Sequence, residues 1–192
     1  MRGAAQRHGD QRFSYRAFTK LNGKRIVILG MTASTYTLVH VMLSLVGIGS
    51  GFVVMYGLLT RKQFNGWTAL FLASTVATSV TGFGFPFERL LPSHNVGIIS
   101  LVALTIAIVA RYVFYLAEAW RWIYVVSAAG ALCLNVFVGL VQAFLKVPPL
   151  NAIAPNQTEW PFLVTQLVVV TLFIVLAIVV VLRFRTESVQ TA

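Results

Sequence analysis

Three histidines, five acidic residues and one cysteine are the whole stock of proton-transferring and metal-ligating side chains in this sequence of 192 residues. His40 is the sharpest of them, because it lies about one turn inside a long uncharged stretch, where an ionisable group is a functional hypothesis by default. If successive apolar stretches run up and down, His40, Glu88, His94 and Glu159 fall toward one end, and two imidazoles with two carboxylates match the donor set of a divalent metal. His40 with His94 offers the two nitrogen ligands that a haem iron takes. The spacing supports neither, since no H-E-x-x-H register links the four. The expectation is therefore a chain without metal or cofactor, with His40 as an interface histidine bonded to a carbonyl or water.

Other catalytic patterns are missing from the sequence. It has no phosphate-binding glycine loop, no nucleophile elbow and no metalloprotease helix. Cys133 lies in an apolar run and is the single cysteine, so an intrachain disulfide and a cysteine-based metal cluster are both excluded. Asn156, Gln157 and Thr158 match a glycosylation sequon, a weak three-residue pattern. Arg111, Glu118 and Arg121 have helical spacing and predict an ion pair at a membrane interface. No acidic residue lies in the central part of an apolar stretch, which argues against a proton relay.

A second set of residues has spacing that serves packing. Gly47 and Gly51 form a small-xxx-small pair that lets helix backbones approach closely. Asn135, Gly139 and Gln142 follow at intervals of four and three, which puts two amides and a glycine on one helix face as an interhelical polar seam. Thr68, Ser74, Thr75, Thr78, Ser79 and Thr81 can bond back to their own helix or across to another. Trp67, Arg111, Trp120, Arg121, Trp122 and Trp160 lie near the ends of apolar runs and read as interface anchors, with Tyr112, Tyr115 and Tyr124 joining the aromatic belt.

The elements that must position these residues follow from composition. The chain is 58% hydrophobic and 10% charged, against roughly 25% charged for a soluble domain. Spanning about 30 Å of hydrocarbon takes roughly 20 apolar residues. The reading is an all-α polytopic transmembrane bundle over residues 31–185, with about five spans near 36–59, 67–87, 95–117, 122–145 and 161–182. A basic polar tail, 1–30, precedes it and a short tail, 186–192, follows. In the first tail Arg12, Arg16, Lys20 and Lys24 recur every four residues beside Phe13, Ala17, Phe18 and Leu21, as in an interfacial helix, though a disordered tail or translation from Met31 fits equally. Gly82 to Phe87 should loosen the end of the second span, and Pro148, Pro149 and Pro155 stiffen the longest connection.

The net charge of +10 does not point to nucleic acid, because seven of fifteen Lys and Arg residues lie before residue 26 and the rest flank apolar runs. Five spans put Arg61, Lys62, Arg111, Arg121, Arg183 and Arg185 on one side, and Arg89 and Lys146 on the other. Without the tail, the positive-inside rule therefore places the amino end outside and the carboxyl end in the cytoplasm.

The stretches Thr37 to Val41, Ser44 to Gly47, Gly66 to Leu72 and Thr78 to Phe87 resemble those of uncharacterised multi-pass membrane proteins of alphaproteobacteria. The runs Val96 to Ser100 and Trp120 to Tyr124 extend the resemblance over roughly residues 31 to 185. It implies a helical inner-membrane protein and supplies neither an activity nor site residues.

Three functions are then in competition. A non-enzymatic structural, assembly or interaction component, with the lipid bilayer and other membrane proteins or its own copies as partners, accounts for most residues. A small transporter or channel subunit would use the second and fourth spans as a polar path. A haem or metal protein would use His40 and His94.

Overall fold

The computed structural model describes the backbone of residues 27–28, 31–85 and 92–190, with side chains over 31–85 and 95–183. The expected tail helix, Glu88, Arg89 and the His94 side chain lie outside the described residues. The chain divides into two units, Met1–Val39 and His40–Ala192.

In the first unit, β1 (Val27–Ile28) pairs antiparallel with β2 (Met31–Thr32). Thr32 then caps α1 (Ala33–Leu59): its hydroxyl oxygen accepts the Thr35 N–H at 3.3 Å and lies 2.8 Å from the Thr35 hydroxyl. A cap of this kind satisfies one of the amides that a helix start leaves without a partner. It also sets the helix start three residues before Tyr36.

The second unit continues α1 and adds α2 (Asn65–Gly82), α3 (Pro92–Ile108) with a π-helical turn (Val109–Val113), α4 (Trp120–Lys146), the short α5 (Pro148–Ile153) and α6 (Trp160–Gln190). Among the described residues four helices are long and apolar enough to cross a membrane: α1, α3 with its π turn, α4 and α6. The second expected span, α2, has 18 residues and carries too many hydroxyls to join them. The all-α class is therefore observed, with four such helices where the sequence predicted about five spans.

Ends that should coincide in an up-and-down arrangement do so. Asn65, at the start of α2, bonds Arg111 near the end of the π turn, and Arg183, late in α6, donates to the Leu59 carbonyl that closes α1. At the other end His40 bonds Thr81 of α2. The helix α4 lies at the centre and packs on α3, α6, α5 and α2. Small residues are prominent in this core: Ala128, Ala129 and Ala131 on α4 and Ala107 and Ala110 on the α3 segment are almost fully buried in one cluster. Small side chains let helix backbones close on each other and gain dispersion contacts.

Three expectations about ends are corrected. The third helix does not run to Ala117, because the chain widens into the π turn and then leaves helical geometry at Phe114. The connection after Lys146 is partly helical, since proline is accepted in a first turn where its missing N–H is not needed. After the apolar run ends at Leu182 the helix continues to Gln190, for arginine and glutamate are good helix formers and no glycine or proline intervenes.

Candidate functional site

The end of the bundle that gathers the cations is also where the backbone is most unusual. After α1, Arg61 adopts φ 58° and the Lys62 N–H reaches back to the Gly57 carbonyl at 2.8 Å. This is a Schellman closure whose left-handed position holds arginine instead of glycine. After the π turn, Tyr115 and Leu116 adopt φ 48° and 58°, and the Leu116 N–H bonds the Ala110 carbonyl at 3.0 Å. Each bulky residue in that region costs about 1–2 kcal/mol. Strained backbone and π turns both concentrate at functional sites.

These two turns, with the starts of α2 and α4, enclose a cavity of about 620 Å³. Its outer wall carries Arg61, Lys62, Arg111 and Arg121, and its inner wall includes Val54 and Val125, both buried. None of the residues lining it is acidic. Arg111 is fixed in place: Nη2 donates to Asn65 Oδ1 at 2.7 Å, and the guanidinium carbon lies 5.5 Å from the Tyr124 ring centroid and 5.8 Å from that of Tyr112. Both rings are within cation–π range. Arg111 therefore bonds an amide and two rings, and the helical register to Glu118 does not exist, because residues 114–119 are not helical. Tyr124, expected in the aromatic belt, is 1% exposed, with its hydroxyl beside Thr68 and Arg111.

At the opposite end His40 Nδ1 lies 2.8 Å from Thr81 Oγ1. The Thr81 hydroxyl is also 2.7 Å from the Ala77 carbonyl, which can only accept, so that hydroxyl donates there and His40 Nδ1–H donates to it. The Phe85 ring stands edge-on at 5.2 Å. Glu159 serves its own loop: its carboxylate accepts the Asn156 N–H and side-chain amide and the Thr158 N–H. Slight desolvation pushes its carboxyl up, but its own N–H and the bonds from Asn156 and Thr158 outweigh this and hold it below the usual range. Among the described residues no three His, Cys, Asp or Glu side chains come together in a metal-holding group.

The predicted packing residues divide. A Cβ on Gly51 would sit 2.5 Å from Leu132 Cδ1, and one on Gly47 would lie 2.9 Å from Thr75 Oγ1 and 3.0 Å from Asn135 Nδ2. Both glycines thus permit close approach to α2 and α4. Asn135 is buried and accepts the Ser44 hydroxyl at 2.8 Å, while a Cβ on Gly139 would meet Ile48 Cδ1 at an ordinary 3.5 Å. Gln142 is exposed, so the seam contains one of the two expected amides. The second buried amide is Gln166 on α6, which donates to the Phe137 carbonyl at 3.2 Å. It went unnoticed in the sequence because it stands alone among apolar residues, with no spacing to mark it. Trp67, Trp122 and Trp160 are exposed, Arg121 lines the cavity, and Trp120 stacks on Phe114 at 3.8 Å between centroids.

Comparison of the chain with protein-family models, curated proteins and solved structures found no match.

Proposed function

We propose that this chain is a five-span protein of a bacterial inner membrane, of the kind its sequence resembles, and that it works by binding, as a structural, assembly or interaction component, without catalysing a reaction. One observation carries the reading: its polarity is inverted. Thr68, Ser74, Thr75, Thr78 and Ser79 of α2 point inward while Trp67, Leu70 and Val80 of the same helix are exposed. Among the described side chains of α6 Gln166 is the one buried polar residue, and Leu167, Leu172, Ile174 and Ile178 face outward. In water such a surface would aggregate, whereas in lipid it is the stable arrangement. With apolar residues outside, α2 becomes the fifth span despite its hydroxyls; its 18 residues reach about 27 Å at 1.5 Å per residue.

Alkaline extraction tests membrane residence: the chain should stay with the membrane fraction, and release with peripheral proteins would overturn the proposal. Purification in mild detergent then tests the mode of action, with a stoichiometric partner or self-assembly expected. A second reading, a polar path, is favoured by the Thr75 and Thr78 hydroxyls and the Asn135 amide nitrogen, which are buried without a hydrogen-bond partner among the described residues. Solute flux in liposomes carrying the purified protein alone would establish that reading and displace the first.

A further inference from the structure

We infer that the cavity at the basic end is a binding site for a phosphate-bearing anion, presented by the headgroup of an anionic phospholipid. This rests on the membrane reading above and adds a ligand to it. Three independent features meet at the site. Its charge is of one sign: Lys62, Arg111 and Arg121 line it together with Arg61, with no acidic residue in the wall. An anion between them relieves the mutual repulsion of these cations and receives charge-assisted hydrogen bonds. Tyr124 is 1% exposed and lies in the cavity wall with its hydroxyl beside Thr68 and Arg111, so a ligand oxygen held by Arg111 meets a phenol there as well as a cation. Finally, the backbone around the cavity is held in left-handed conformations at Arg61, Tyr115 and Leu116 and in a π turn at Arg111, features that concentrate at functional sites.

The shape selects an amphiphile over a free ion. A phosphate group fills only a small part of 620 Å³, and the inner wall of Val54, Leu58 and Val125 is apolar. The site lies where helix ends meet the headgroup layer, on the side whose cations the positive-inside rule assigns to the cytoplasm. Basic pockets between helix ends on that side are where phospholipid headgroups bind. Arg111 orients the site through Asn65, while Lys62 and Arg121 supply the movable charge.

The test uses the full chain in nanodiscs of phosphatidylcholine, with and without phosphatidylglycerol, and native mass spectrometry of the protein released from the mixed bilayer. The expected result is preferential retention of one or more phosphatidylglycerol molecules and a thermal midpoint raised by several degrees in the anionic bilayer. The double variant Lys62→Gln with Arg121→Gln should lose most of both effects. Arg183→Gln, a cation of the same end outside the cavity wall, should keep them. Should the Gln variant fail to fold, Lys62→Arg with Arg121→Lys keeps the charge and should retain the lipid. Equal retention of the two lipids by wild type would overturn the inference. An equal midpoint rise from inorganic phosphate added to protein in neutral detergent would overturn the lipid source. The membrane reading fails separately, through release of the chain on alkaline extraction.

Discussion

At the scale of single residues the structure sorts the ionisable groups by what they bond. His40 donates to Thr81, and Gln can donate in the same place, so His40→Gln should change stability by less than about 1 kcal/mol. Detergent unfolding curves check this. A haem or metal signal in purified wild type that the variant lacks would show that the histidine does more. Tyr115 presents the opposite case, with φ 48° and 83% of its surface exposed, so it bears backbone strain and has few contacts to lose. Tyr115→Gly should raise stability by roughly 0.5–1 kcal/mol, the strain relieved being partly offset by glycine's greater unfolded-state freedom. An unchanged or lower unfolding midpoint would mean that the ring holds the turn. The sequence announced His40 by its isolation in an apolar stretch. It could not announce Tyr115, because nothing local marks a tyrosine forced into a position that glycine normally takes.

At the scale of elements, the glycines of α1 look alike in the sequence and differ in the structure. A Cβ at Gly51 meets Leu132 at 2.5 Å, whereas one at Gly49 meets nothing within 4 Å. Gly51→Ala should therefore cost about 1–3 kcal/mol by overpacking. Gly49→Ala should gain up to about 1 kcal/mol from helix propensity. Equal effects in the same unfolding assay would mean that α1 does not pack on α4 through this face. The loop before α6 makes a pH prediction. The Glu159 carboxyl is held low by the amides it accepts, so its contribution is complete above the ordinary value of 4.5 and is lost as the pH falls through the lower folded value. Carboxyl carbon shifts followed by NMR should give a midpoint below that of an exposed glutamate, and Glu159→Gln should remove the dependence. The seam was half legible, because helical spacing put Asn135 and Gln142 on one face. The rotation and length of the neighbouring helices decide which part of that face is covered, and they are not local properties of α4.

For the whole molecule, reporters fused after Lys62 and after Arg185 should both report cytoplasm, and one near Asn156 the opposite side. Different sides for the first two would require an odd number of crossings between them. The all-α class was legible because an apolar run of about 20 residues has few other outcomes. The π turn and the cavity were not, since both depend on where Asn65 meets Arg111, two residues 46 positions apart. Cation spacing pointed to an ion pair with Glu118, and the helix ended before that pair could form.

The central place of α4 bears on how the chain is made. Synthesis completes α1, α2 and α3 before α4, yet Ser44 bonds Asn135, Gly51 leaves room for Leu132, and Ala107 and Ala110 share a core cluster with the alanines of that fourth helix. Until Trp120–Lys146 has been made, Ser44 and the small-residue surfaces of α1 and α3 lack the α4 partners they have in the finished fold. The later half of the message therefore completes the packing of the earlier half.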